Sequence, residues 1–321
     1  MIIKPLGQEK LVTFFKNALT NSSLGHAYII EGDSGSGKKT IARYFAAITV
    51  CKNGNACGEC AACKQSAAEV NPDVTVVSAE GKSSVGVDKI RQLISTVGYK
   101  SVHGGYRVFI IEDANLLTPQ AQNALLKVIE EPPKKVLFLL LCDRKSHMLK
   151  TIVSRTQTLK LSPLSAENLA KIVPSCSDFV LSYCNGNPGR LIEICADEEF
   201  KNFRDGVADC VLRLFTDGYN GLNHTADFFE QNKERKSDIF TITLYLLRDV
   251  MCLKNSPKTT LINSDKRDVL NSLSKVLSKR ACIKVIEVIL DAEKGMGKYG
   301  NFNLAVMNML IRCQNTIKKD A

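Results

Sequence analysis

An α/β domain built on a parallel sheet, followed by a small helical segment and a helical bundle, is the fold class this sequence predicts. Three observations predict it. Apolar strand-like runs alternate with amphipathic helical stretches through the first half of the chain. A glycine-rich loop lies between the first run and the helix after it. Beyond about Phe200 convincing strand patterns vanish and helical spacing takes over.

The predicted strands are Ala27–Glu31, Val74–Ser78, Val108–Ile111, Val136–Leu141 and Thr156–Leu161. The central runs are almost wholly apolar, as strands covered on both faces must be. Helices are predicted over Gln8–Thr20, Lys39–Val50, Val87–Val97 and Gln120–Glu131. The Ser-Pro step in Leu161-Ser-Pro-Leu-Ser165 marks a domain boundary, and Asn185-Gly-Asn-Pro-Gly189 marks a turn. Farther on, Phe240, Leu244, Leu247 and Met251 recur at helical spacing, as do Leu270, Leu273, Val276 and Leu277. The expected division is residues 1–162, 163–203 and 204–321.

Composition narrows the function classes. The chain has 321 residues, 45% hydrophobic and 24% charged, which excludes a disordered chain, a collagen or a coiled-coil rod. No apolar run approaches the roughly 20 residues that span a bilayer, so no membrane role is expected. The N-terminus lacks an apolar signal core, and a cytoplasmic location is expected. The net charge of +10 is spread along the chain; it permits contact with a polyanion and equally suits a plain basic surface.

Gly32-Asp-Ser-Gly-Ser-Gly-Lys38 has the spacing of a phosphate loop, in the strand-to-helix context that motif requires. Gly32, Gly35 and Gly37 let the backbone curl its N–H groups toward one phosphate. Lys38 adds a point charge. The motif asks next for a hydroxyl that ligates magnesium. Here that position is Lys39, whose ammonium has no lone pair to offer, and Thr40 comes one residue late, about 100° round the helix. The site reads as a nucleotide site degenerate toward magnesium. Glu112 and Asp113 end the third strand, in the reverse of the Asp-then-Glu order of an active ATPase; as an isolated pair they also fit a solvated strand end. ATP with magnesium is therefore doubtful as a cofactor here.

Cys51, Cys57, Cys60 and Cys63 offer four thiolates within one short segment. That set suits a closed tetrahedral zinc site with a structural role. Gly54 and Gly58 ease its bends, and the insertion is too small and polar to hold itself together without metal. The other eight cysteines are expected as small buried hydrophobes.

Several strings resemble one family in composition and in order. They are Gly7-Gln-Glu9, His26-Ala27, the phosphate loop, the four-cysteine insertion, Asn123-Ala-Leu-Leu-Lys127 with Glu130-Glu-Pro132, Ser154-Arg155, and late in the chain Asn301-Phe-Asn-Leu304. Together they are similar to the bacterial clamp-loader AAA+ subunits of the DNA polymerase III holoenzyme. The resemblance implies an AAA+ domain with a zinc insertion, a helical lid and a helical collar that oligomerises. It also implies delta and tau/gamma subunits as ring partners, with the sliding clamp and primed DNA met through the complex.

Within that family, Lys39, Glu112, Asp113 and Cys142 depart from the hydrolysing motors and resemble the delta-prime branch. That branch is weak or inactive as an ATPase and gives an arginine finger to a neighbour, which maps here to Arg155. Thr156 stands where the usual motif has cysteine. Arg190 falls near the sensor-2 region, where a phosphate contact and a surface role are both open. His26 and His147 read as packing or surface residues. Two rival readings stand beside this one: an ATP-hydrolysing tau/gamma-type motor, and a nucleic-acid-binding zinc protein whose phosphate loop is a relic.

Overall fold

The structure is a computed structural model, and it describes residues 2–81, 83–256, 259–295 and 302–318. Asn301, the first residue of the late resemblance string, lies outside the described residues. The chain divides into two compact units. The first comprises residues 1–174 and 185–192, the second 175–184 and 193–321. The segment expected as a lid, 163–203, is shared between them.

In the first unit the elements run α1 (Glu9–Thr20), β1 (Ala27–Glu31), α2 (Lys38–Val50), α3 (Ala61–Ala67), β2 (Val74–Val77), α4 (Val87–Val97), β3 (Arg107–Ile111), α5 (Pro119–Glu130), β4 (Val136–Cys142), α6 (Lys150–Val153), β5 (Gln157–Lys160) and α7 (Ala166–Ile172). The five strands form one parallel sheet in the order β2-β3-β4-β1-β5. All five fall where the apolar runs predict them, with ends shifted by a residue or so.

Successive side chains of a strand point to opposite faces, and the cores show it. Ala27, Ile29, Phe109, Ile111, Phe138 and Leu140 pack on one face with Ile90 and Leu93 of α4 and Leu125 and Ile129 of α5. Tyr28, Ile30, Val108, Ile110, Leu137 and Leu139 pack on the other with Phe15 of α1 and Ile41, Phe45 and Ile48 of α2. All seven residues of β4 are buried, which is why that run carries no polar residue. Burial of each such aliphatic side chain contributes about 1.5–3 kcal/mol. Phe15 and Phe45 stack with centroids 4.0 Å apart.

The second unit is helical throughout its described residues. It contains α8 (Asp178–Tyr183), the end of α9 (Pro188–Ala196), α10 (Phe200–Thr216), α11 (Gly218–Gln231), α12 (Lys236–Asn255), α13 (Arg267–Val276), α14 (Lys279–Gly295) and α15 (Phe302–Lys318). Its core joins Phe179, Tyr183, Phe200 and Phe203 to Leu246, Leu247, Leu270 and Leu273. Leu277, expected on the α13 stripe, is buried but caps that helix with extended backbone.

The expectation for the scattered cysteines needs correction. Cys142, Cys184, Cys210, Cys282 and Cys313 are buried as expected, but Cys176 and Cys252 are half-buried and Cys195 is exposed. Cys195 Sγ donates to Cys176 Sγ at 3.7 Å, and the two form no disulfide.

Candidate functional site

The phosphate loop sits at the C-terminal end of β1, the edge of a parallel sheet where ligands bind. Gly35 (φ +78°) and Gly37 (φ +92°) take left-handed backbone that a side chain would strain, and Gly37 caps α2. Gly32 donates its N–H to Cys142 O at 3.2 Å, closing the loop onto β4. Ser36 Oγ is buried and has no hydrogen-bond partner among the described residues.

Lys38 reaches back across the loop. Its ammonium donates to Gly32 O at 2.6 Å, Asp33 O at 2.9 Å and Asp143 Oδ1 at 2.7 Å. No motif in the sequence marks Asp143, the residue after Cys142. The register explains its place: Glu31 of β1 pairs with Cys142 of β4, so the residue after β4 lies beside the start of the loop. Burial, ahead of the nearby Glu31 carboxylate, pushes the Cys142 thiol up to about 11, and it stays protonated at neutral pH.

Lys39 has its own partner. Its Nζ lies 2.7 Å from Glu112 Oε2; the lysine side chain is 57% exposed and that of Glu112 only 7%. Glu112 also donates its backbone N–H to Val77 O, which fixes the strand end that aims it. Asp113 has left-handed backbone (φ +51°) and caps a short 3₁₀ turn, and its carboxylate makes no hydrogen bond or ion pair among the described residues. Thr40 lines a separate depression with Arg43, Tyr44, Ser66 and Glu69. The 100° turn to the next helical position decides this.

The Asn185–Gly189 turn seats directly on the loop. Asn187 Nδ2 donates to Ser34 O at 2.7 Å, and Gly189 donates its N–H to Gly35 O at 2.9 Å. A Cβ at Gly189 would meet Gly35 Cα at 2.5 Å, so the approach requires glycine. Arg190 follows in the first turn of α9, its N–H capped by Asn187 Oδ1.

Arg155 stands between α6 and β5, half-exposed at 42%. Its guanidinium bonds Glu130 Oε1 at 2.9 Å and Thr151 O at 3.1 Å. Gln122 of α5 holds this corner together by accepting from Leu149 N and donating to Leu117 O.

The four thiols converge. All four Sγ atoms lie within 4.8 Å of one another, with Cys51–Cys57 at 3.7 Å and Cys57–Cys63 at 4.0 Å. A tetrahedron with metal–sulfur bonds of about 2.3 Å has edges of roughly 3.8 Å, so the donor set fits a thiophilic divalent ion. Cys60 caps α3, accepting from Cys63 N. Burial works against ionising Cys51, but backbone N–H groups of Cys57, Asn55 and Asn53 outweigh it and bring that thiol to about 6. Burial raises Cys63. Asn71 ties the module to β2, donating to Ala62 O at 2.8 Å and accepting from Asp73 N at 2.8 Å.

Residues 7–165 match a family model described as DNA polymerase III, delta subunit. The DNA polymerase III gamma subunit of Buchnera aphidicola is 33% identical over 171 residues, 52% of this chain and 47% of that one. The tau/gamma subunit of Haemophilus influenzae is 36% identical over 169 residues, 52% of this chain and 24% of that one. This chain thus spans about half or less of those two relatives. The delta' subunit of Bacillus subtilis is 25% identical over 314 residues, 92% of both chains. A gamma subunit-related protein of Thermotoga maritima overlaps with a TM-score of 0.45 at 17% identity, covering 95% of this chain and 99% of that one; so loose an overlap adds no weight. The sequence matches fall on subunits of one polymerase, and they cover the α/β unit that carries the loop, the thiols and Arg155; over residues 7–165 the chain belongs to the DNA polymerase III delta-subunit family.

Proposed function

We infer that this chain acts as the delta-prime subunit of the clamp loader. In this reading it joins delta and tau/gamma subunits in a ring that loads the sliding clamp onto primed DNA. It hydrolyses ATP weakly or not at all and lends Arg155 to a neighbouring subunit. The observation that carries the reading is Lys39: the residue that should ligate magnesium is an ammonium bonded to Glu112. Collinearity with the Bacillus subtilis delta' subunit over 92% of both chains supports it.

An arginine finger needs a permanent charge and a planar fork within reach of a partner's γ-phosphate. Arg155 supplies the charge and the fork, and its pairing with half-exposed Glu130 is weak enough to be exchanged. The four cysteines would hold structural zinc, leaving no open position for water. Placement of the complex in the cytoplasm follows from this function. No described helix is long and apolar enough to cross a membrane.

The test is the reconstituted complex with Arg155→Ala. Assembly should persist, while ATP turnover at the one site facing Arg155 falls by about 10³–10⁵-fold. Arg155→Lys should not rescue it, because a point charge cannot reproduce the fork. Unchanged clamp-stimulated ATPase in an intact complex would remove Arg155 from the mechanism.

A further inference from the structure

Of the two halves of a phosphate-loop site, this chain keeps one and replaces the other. The phosphate half fits an anion. Gly35 and Gly37 hold the curled backbone, and Ser36 Oγ is buried without a partner, as a hydroxyl waiting for an acceptor would be. Lys38 is folded against two carbonyls and the Asp143 carboxylate, which is 46% exposed. A carboxylate oxygen and a phosphate oxygen are the same kind of acceptor for an ammonium, so one can take the other's place.

The metal half does not fit magnesium. That ion demands near-octahedral oxygen donors, and at such loops it takes the hydroxyl after the lysine and the acid of the neighbouring strand. Lys39 supplies no oxygen, and its ammonium already lies 2.7 Å from the sheltered Glu112 carboxylate. A dication brought to the same carboxylate would meet a like charge already paired there. The chain therefore carries, covalently attached, the cation that other sites recruit from solution.

We propose that this loop binds nucleoside di- or triphosphates without a divalent cation. Lys39 neutralises the phosphate charge in place of magnesium, and phosphate oxygens displace Asp143 from Lys38. The proposal rests on the reading of this chain as a non-hydrolysing clamp-loader subunit and names what its own site takes. An ammonium neutralises but cannot ligate two phosphate oxygens at fixed angles, so the bound nucleotide persists uncleaved.

The experiment is calorimetric titration of the full chain with ADP and with ATP, once in EDTA and once in magnesium. Wild type should bind equally in both buffers. Lys39→Thr restores the hydroxyl and removes the internal cation; it should weaken binding in EDTA by about ten-fold or more and recover it with magnesium. Asp143→Asn, which keeps an acceptor but loses the competing charge, should tighten binding several-fold in both buffers. Circular dichroism of each variant verifies the fold, and Glu112→Gln, which frees the ammonium, gives an independent arm expected to tighten binding in EDTA. Wild-type binding that requires magnesium would overturn the proposal. So would the absence of binding in either buffer. Neither result touches the arginine-finger test, which is read on a neighbour's site, so the two readings fail separately.

Discussion

At the strand ends of the α/β unit, Lys38 and Lys39 meet Asp143 and Glu112 while Ser36 Oγ and the Asp113 carboxylate stay without partners among the described residues. The helical unit holds a comparable number of charges on different terms. There Arg204 makes a bidentate contact with Asp265 at 2.7 and 2.8 Å, donates to Asn263 Oδ1 at 2.9 Å and lies 3.6 Å above the Phe179 ring. Asp249, fully buried, accepts from the backbone of Ile262 and Asn263, from Asn263 Nδ2 and from Arg248. Its carboxylate is enclosed by four donors, so it has little capacity left for a ligand. The loop cluster keeps spare capacity and exchangeable partners. The difference separates a network that fixes structure from one poised for a ligand.

The thiol cluster tests that distinction most strongly, because its four convergent donors form a set that a metal ion would close. Structural zinc contributes about 10–16 kcal/mol in small zinc peptides, so its loss should dominate local order here. Chelation under reducing conditions should remove one zinc per chain and strip hydrogen-exchange protection from residues 51–67. Amides of β1, β3 and β4 should keep theirs, since the module gives the core on one face of the sheet only Ala62, with Ala56 and Cys60 at its edge, and gives the opposite core nothing. Elemental analysis without zinc, or a sheet that loosens along with the module, would break the comparison.

Next in size is a matched pair of substitutions. Asp249→Ala leaves two buried donors of Asn263 and the half-buried Ile262 N–H without an acceptor and should cost about 3–5 kcal/mol in urea unfolding. Asp143→Asn in the loop should change stability by less than about 1 kcal/mol, because its pair is half-exposed. Equal costs would mean that the loop cluster is as structural as the helical one.

The smallest effect is a pH dependence. Asp73 is 1% exposed; burial pushes its pKa up, but Val102 N, the His103 ring and backbone N–H, and the Ser101 hydroxyl outweigh burial and hold it below the ordinary carboxylate range. A depressed folded value means that its stabilisation is complete above the unfolded value of about 3.9 and is lost as pH falls through the lower folded value. The melting temperature of wild type should therefore fall more steeply below about pH 4 than that of Asp73→Asn. Parallel curves would show that Asp73 is not the titrating group.

The sequence by itself determined the strand runs, the loop, the thiol set and the helical second half. Each is a local pattern: a period of two or of 3.6, glycines where left-handed backbone is needed, donors within a few residues. It also determined that Lys39 could not ligate a metal, since that follows from the side chain alone. What the ammonium does instead required Glu112 to arrive 73 positions later, directly after β3. Asp143 beside Lys38, Asn187 and Gly189 on the loop, and Glu130 against Arg155 likewise join residues distant in the chain. Those meetings depend on the order β2-β3-β4-β1-β5, which sets β1 between β4 and β5. No spacing along the chain encodes that order; it comes from which faces bury together, and only the tertiary structure decides it.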